Sequence, residues 1–499
     1  MKKYVAALDC GTSTMKAGVF DLRGRLKGIA SRECAPRVLP GGRYEYRPQE
    51  LFYGACAVLQ SALHRSKIAS ADVLALAVTN QRATCLCVDA QGRALSNAIS
   101  WQDMRGQELL AKFRDRMSGE SFYRRTGLPL NPVFSLSKYL WFRAMMPSLY
   151  RKAAKIVTLQ EYFLSRFGSE ECVVDYSNAS LTGVLDAKKL KWDRDILKAA
   201  RLSVGKYPGL IESGVKVGTL AKGAARKTGF LHGTPLISGG GDQQCAGVGA
   251  GAVRSGIIEI TLGTVADVCS CTSTPVYDPR MRVMSSVHVV PGRWNTEGMQ
   301  SSGGASLRWA QNTVNGGKTF SARHFRKVAQ VPAGAGGLFF YPFLNGAAAP
   351  HWCEEAQALL AGCRHSHGPG EIVRAVMEGV AMETKQIFEV FSQLALPVRE
   401  IRMTGGCASI GLWNQIHSDV CGKKVKTLVC PHATLLGAAV LAAYGIGAYP
   451  DVEQGARTMV QAKNAFTPVR SRVREYKKIF QKYRGFYSHL ETTGAFKRL

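Results

Sequence analysis

Apolar residues fall into two rhythms along the chain. Short continuous runs end in glycine, serine, threonine or aspartate. Between them, longer stretches repeat an apolar residue every three or four positions. These are the marks of buried strands and of helices with one buried face. Residues 4–8 and 15–20 predict two strands around a polar turn that holds Asp9, Gly11, Thr12, Ser13 and Thr14. VLALAVTNQ, residues 73–81, starts as a buried strand and ends in polar groups. ATCLCVDAQGRAL, residues 83–95, predicts strand, turn and strand. Helical spacing covers about 104–116 and 135–146, and YRKAAKIVTLQEYFLSRFG adds a strand and a helix. DAKKLKWDRDILKAA leads into a further helix.

PLISGGGDQQCAGVGAGAV, residues 235–253, passes from a strand through three glycines to Asp242, Gln243 and Gln244, then into a small-residue helix. GIIEITLGTVADV, residues 256–268, repeats the strand, Gly-Thr turn and strand of residues 4–21. That echo predicts an α/β protein of two similar halves, with the crossing within 244–253 and domains of 1–247 and 248–499. The second half continues the alternation. It has a helix after the paired glycines of 301–312 and a strand and loop at 336–346. A helix covers 371–391, and 401–420 reads as strand, glycine turn and helix. Residues 431–447 predict a core helix whose small residues permit close packing. At 499 residues two or three domains are expected.

Composition changes this picture little. Apolar residues make up 46% of the chain, enough for large cores, and no run of eighteen uncharged apolar residues predicts a membrane span. Lys2 and Lys3 precede an apolar stretch too short for a signal core, so a fold-initiating strand is expected there. Fourteen cysteines are scattered without paired CxxC elements, which argues against structural zinc and for reduced thiols in a cytoplasmic protein. The net charge is +29, from 65 basic and 36 acidic residues. It is diffuse and densest at 466–487. There Val473, Tyr476, Ile479, Phe480, Tyr483 and Tyr487 predict an amphipathic helix with a basic outer face rather than a specific nucleic-acid module.

The chemistry concentrates at the turns. A tight glycine turn presents backbone N–H groups to phosphate. Asp9 suits such a turn when a divalent cation lies between carboxylate and phosphate, since Mg2+ takes oxygen ligands. The same residues also fit an ordinary hairpin. Asp242 reads equally as a helix cap or as a base. The segment is neither a P-loop nor a dinucleotide fingerprint.

LDCGTSTMKAGVFD, LAVTNQRATCLCVDAQGRALSNAISWQDMRG, TGLPLNPVFSLSKYLWF, GGGDQQCAGVGAGAVRSGIIEITLGT, MTGGCASIGLWNQIHSDVCGKKV and LLGAAVLAAYGIG stand in this order. Together they resemble the FGGY carbohydrate kinase family over nearly the whole chain. The resemblance implies two ribonuclease-H-like domains of the actin/hexokinase ATPase type around a central cleft. It places the sugar or polyol largely on the first domain and ATP largely on the second. It implies that Asp242 is the catalytic base and, with Asp9, lies at Mg2+. Thr12, Ser13 and Lys16 match phosphate-contacting positions. Thr261, Gly263 and Thr264 match a loop near the β- and γ-phosphates, and Gly304, Gly405 and Gly406 match nucleotide-side positions. Gln81, Arg82, Trp101, Asp103 and Gln243 match the acceptor region. TNQR resembles the glycerol-kinase form, but Ala83 stands where that form has Glu and Val133 where it has Tyr. Each missing partner would leave glycerol short by roughly 1–3 kcal/mol. A ketose or longer polyol is therefore expected, with glycerol as the alternative. A non-catalytic, nucleotide-gated sugar-binding protein is the competing class. Self-association as a homodimer is left open.

Overall fold

The computed structural model describes residues 3–495, so Lys2 lies outside the described residues. The chain packs as two compact units. The first takes the chain up to Val253 together with Cys271–Thr296 and His432–Gln461. The second takes Arg254–Ser270, Glu297–Pro431 and the chain from Ala462. A break at 247/248 thus describes chain order near the first crossing, whereas two later segments fold back into the first unit.

The first unit is built on β1 (Tyr4–Cys10), β2 (Thr14–Asp21), β3 (Leu26–Glu33), β4 (Val73–Asn80), β5 (Lys216–Thr219) and β6 (Pro235–Gly241). They form one sheet in the order β5-β6-β4-β1-β2-β3. β6, β4 and β1 run parallel, and β2, β3 and β5 are antiparallel to their neighbours. β1 is buried along its whole length, as is β4 except at Leu74. That burial is why both read as nearly continuous apolar runs. The helix Pro48–Ser66 buries Leu51, Phe52, Ala55, Leu59 and Leu63 along one stripe and packs on β2 and β3. Each large apolar side chain buried this way stabilises by about 1.5–3 kcal/mol relative to exposure.

The helix Ala433–Gly445 packs on β1, β4 and β6, which explains the return of residues 432–461 to this unit. It also packs against the helix Asp242–Gly249. A Cβ added at Gly437 would strike the Cys245 carbonyl, and one at Gly249 the Ala433 carbonyl. The small-residue composition of both helices is the condition for this backbone approach.

The second unit repeats the plan with β7 (Gly256–Leu262), β8 (Ala266–Thr272), β9 (Trp294–Gln300), β10 (Val398–Thr404), β11 (Lys424–Leu428) and β12 (Ala462–Phe466). Their order is β9-β8-β7-β10-β11-β12. β7, β10 and β11 are parallel, while β8 and β12 are antiparallel to β7 and β11. Met284–Val287 adds a seventh strand beside β9, and the other six repeat the order of the first sheet.

Two local readings change, and one unread helix is added. Residues 83–95 hold a strand at Cys85–Val88, but the return arm shrinks to a single bridge between Val88 and Ala94. Asp89 accepts the N–H groups of Gln91 and Arg93 and so turns the chain there. The helix Gly119–Thr126 is too short for its period to show, and is capped by Ser118 accepting the Ser121 N–H. The basic C-terminal helix spans Arg470–Thr492 and buries Tyr476, Phe480, Tyr483 and Tyr487, while Val473 and Ile479 are only half-buried. Among the described residues no helix is long and apolar enough to cross a membrane.

Candidate active site

Asp9 stands at the penultimate position of β1, opposite Lys16 on β2 and beside Thr79 on β4. It is buried, and its Oδ1 has no hydrogen-bond partner. Burial, then the nearby charge of Asp242, push its carboxyl up to about 7, while Lys16 pulls the other way. Asp242 opens the helix that follows β6. The Gln243 N–H donates to its Oδ1 at 2.9 Å, and the Arg82 guanidinium lies 3.3 Å from the same oxygen. Gly241 is required by this arrangement, since a Cβ there would approach Arg82 Cδ to 2.5 Å and Gln244 Oε1 to 2.6 Å.

Two mutually repelling carboxylates, one with an orphaned buried oxygen, are a donor set that suits a hard divalent cation. No group of three or more His, Cys, Asp or Glu that could hold a metal occurs among the described residues.

A ring of hydrogen bonds surrounds the turn at 11–13. Gln81 Nε2 donates to the Gly11 carbonyl at 3.2 Å and to the Tyr46 hydroxyl at 3.0 Å. The Tyr46 hydroxyl donates to the Thr12 carbonyl at 2.8 Å. The Trp101 indole N–H donates to Thr12 Oγ1 at 2.9 Å, and the Trp101 amide donates to Thr84 Oγ1 at 3.1 Å. Thr84 closes the ring by donating to Gln81 Oε1 at 3.0 Å.

The ring alters the expected roles of two residues. Gln81 is buried with its amide committed to the turn. Asp103 is fully buried, accepts the Tyr44 N–H at 2.7 Å and pairs with Arg105 at 2.7 Å. Both side chains are directed into the protein, because a buried polar group must find protein partners. Arg82, Trp101 and Gln243 remain beside Asp242 and the turn. Ser13 is exposed, and Thr12 and Lys16 are half-buried. Tyr46, Thr84 and Arg105 complete the framework, and no local pattern marks them.

In the second unit, the loop between β7 and β8 meets the helix Gly304–Val314. The Gly304 N–H donates to the Gly263 carbonyl at 2.6 Å. The Gly303 and Ala305 N–H groups donate to the Thr264 carbonyl at 2.9 and 3.1 Å. A Cβ at Gly304 would approach Cys407 Sγ to 2.8 Å. Gly405, at φ 81°, would bring one to 2.6 Å from the Leu262 carbonyl, whereas Gly406 faces open space. Gly263, Thr264, Gly304 and Gly405 are thus gathered at the strand ends. Beneath them the Thr261 hydroxyl donates to buried Glu259 at 2.6 Å, and the Thr404 hydroxyl donates to the same oxygen at 2.5 Å. Sequence reading missed Glu259 and Thr404.

Two sheets of this plan, one ending in paired carboxylates and the other in a glycine cradle, define an α/β phosphotransferase of the ribonuclease-H-like, actin/hexokinase type. The chain belongs to the FGGY family of carbohydrate kinases. The family's N-terminal domain matches residues 4–249 and its C-terminal domain residues 259–446. Membership makes it an ATP-dependent carbohydrate kinase. It is 28% identical to a xylulose kinase of Bacillus subtilis (strain 168) over 98% of this chain and 97% of that one. It is 30% identical to a glycerol kinase of Trichlorobacter lovleyi (strain ATCC BAA-1151 / DSM 17278 / SZ) over 94% and 95%. Its fold matches that of xylulose kinase from Lactobacillus acidophilus with a TM-score of 0.91 at 23% identity, covering 98% of each chain.

Proposed function

We propose that this kinase transfers the γ-phosphoryl group of ATP to a primary hydroxyl of a ketose or of a polyol longer than glycerol. The observation that carries the reading is Asp242, held at the head of its helix with Arg82 at 3.3 Å and near enough to Asp9 that its charge adds to burial in raising the Asp9 carboxyl. Asp242 acts as the base that accepts the proton of the attacking hydroxyl. Arg82 fixes the direction of its carboxylate. Asp9 and Asp242 are the residues that would hold Mg2+, which when bound neutralises phosphate charge. Thr12, Ser13 and Lys16 serve the phosphates from the first unit. Thr261, Gly263, Thr264, Gly304, Gly405 and Gly406 serve the nucleotide from the second. Trp101, Arg82 and Gln243 contact the acceptor. Gln81 and Asp103 work one step back, by fixing the turn at 11–13 and the loop after Trp101.

The substrate preference rests on Ala83 and Val133. Ala83 is buried at φ 60°, and Val133 is half-buried, so neither offers a hydroxyl partner where a compact triol needs one. Relatives at 28% and 30% identity carry both substrate names, and so favour neither. The fourteen cysteines suit a cytoplasmic enzyme in which thiols stay reduced. Because no readout module accompanies the basic C-terminal helix, we expect no specific nucleic-acid partner.

A panel of ketoses, longer polyols and glycerol with ATP and Mg2+ tests the proposal. Glycerol winning by tenfold or more in kcat/KM, about 1.4 kcal/mol, would reverse the substrate choice. D242N should lower turnover by about 10²–10⁴-fold with little change in acceptor KM. Near-native turnover would leave Asp242 a helix-terminal residue only.

A further inference from the structure

A lysine is completely buried behind the acceptor region. Lys138 lies on the helix Ser135–Met145 with no exposed surface. Its ammonium donates to the Trp101 carbonyl at 3.1 Å and to the Pro132 carbonyl. Both partners are neutral, and a buried ammonium costs several kcal/mol in desolvation that carbonyls only partly offset. The charged and titratable groups around it are Asp103 and Arg105, already paired to each other, and Cys85 on the strand Cys85–Val88.

The two carbonyls belong to the two loops that face the acceptor. Trp101 is held on its other sides by Thr84 and Thr12. The Pro132 loop is tied to Ala83, because Ser135 Oγ donates to the Ala83 carbonyl at 3.1 Å. It is also tied to its own helix, because Ser137 Oγ donates to the Pro132 carbonyl at 2.7 Å. Lys138 thus joins one loop to the other.

We infer that Lys138 is a positioning residue for acceptor binding, clamping the Trp101 loop to the Pro132 loop so that Trp101 and Val133 form a fixed wall. The inference rests on the reading that these two side chains line the acceptor site. Burial also brings the amine down to about 7, with Arg105 acting in the same direction. The clamp is therefore charged below neutral pH and weakens above it, as the amine donates less strongly than the ammonium.

The test compares the full-length wild type with K138M, using D-xylulose and MgATP. K138M should raise KM for D-xylulose by roughly tenfold at pH 6.5 while KM for ATP changes by less than about twofold. In the wild type KM for D-xylulose should rise between pH 6 and 8.5, and in K138M it should be flat. Unchanged acceptor KM, or equal losses for both substrates, would overturn the inference. If the wild type does not use D-xylulose, the substrate reading fails rather than the clamp. Hydrogen exchange on the free proteins then decides. Faster exchange at 101–105 and 131–137, with none at 259–265, supports the clamp, and identical exchange refutes it. Should K138M not fold, K138Q replaces it in both measurements, since its amide keeps a donor without the charge.

Discussion

In the first unit the pair β1–β2 closes on Cys10 and Met15 and leaves residues 11–14 between them. In the second the pair β7–β8 closes on Leu262 and Ala266 and leaves residues 263–265. Aligning the closures superposes Asp9 on Thr261 and Lys16 on Asp267. It also matches the parallel-strand neighbours Thr79 and Thr404. The backbone platform is the same and the charge is not. Asp9 keeps a buried oxygen without a donor at the strand's end. At the matching place Thr261 offers a hydroxyl, and the carboxylate has moved two residues deeper, to Glu259, where the first unit has Ala7. There Thr261 and Thr404 both bond to it. One position in the register thus sets a carboxylate, Asp9, near the end of β1 and a hydroxyl, Thr261, at the matching place on β7.

The largest effect that could break this comparison is on turnover. D9N keeps the shape of the side chain and removes the charge, and should lower kcat by about 10²–10⁴-fold. T261V at the matching position should lower kcat by less than about tenfold and act mainly on KM for ATP. Steady-state kinetics of both variants decide the matter. Equal losses in kcat would mean that the two turns do the same work.

Much of this contrast is legible in the sequence, because it sits where apolar strands stop. An acid or a Gly-Thr pair right after a buried run has to face a strand end. Asp9, Asp242, Gly263 and Thr264 are visible for that reason, and the doubled sheet follows from the repeated strand-turn-strand pattern. What the sequence hides depends on partners far along the chain. Gln81 and Asp103 look like acceptor ligands until Tyr46 and Gly11 are seen to hold the one, and Tyr44 and Arg105 the other. Glu259 looks like one polar residue in a strand, and only the β7–β10 pairing brings Thr404 to it. The return of 271–296 and 432–461 to the first unit is equally non-local.

A middle-sized effect sharpens the electrostatic side. Asp9 is raised to about 7 from an ordinary value of 3.8, so between those values the folded chain binds more protons than the unfolded one. Stability must then fall as pH rises through that window, by on the order of 2–4 kcal/mol for this group alone. Glu161, also buried and raised to about 7, and Asp175, raised by burial, add slopes of the same sign. The difference between wild type and D9N isolates Asp9. Thermal melts from pH 4 to 8 should show D9N with the shallower fall and the higher Tm above neutrality. Mg2+ with a non-hydrolysable ATP analogue should raise Tm at pH 7.5 in the wild type more than in D9N. Parallel curves without ligand would remove Asp9 from the account.

The smallest effect concerns Glu259, a buried carboxylate of the second unit. Glu259 is fully buried and accepts the hydroxyls of Thr261 and Thr404 at one oxygen. E259Q keeps a carbonyl acceptor at similar volume but weakens two charge-assisted bonds to neutral ones. It should lower stability by about 1 kcal/mol. The sign opposes that of D9N at neutral pH, where losing the crowded Asp9 charge stabilises the fold. Turnover of E259Q should stay within about threefold of wild type, because the carboxylate lies beneath the turn and is occupied by the Thr261 and Thr404 hydroxyls. Denaturant melts and steady-state rates measured on one preparation give both numbers. If E259Q costs as much turnover as D9N, the charge in the second unit has not been withdrawn from the chemistry, and the two turns differ in position rather than in role.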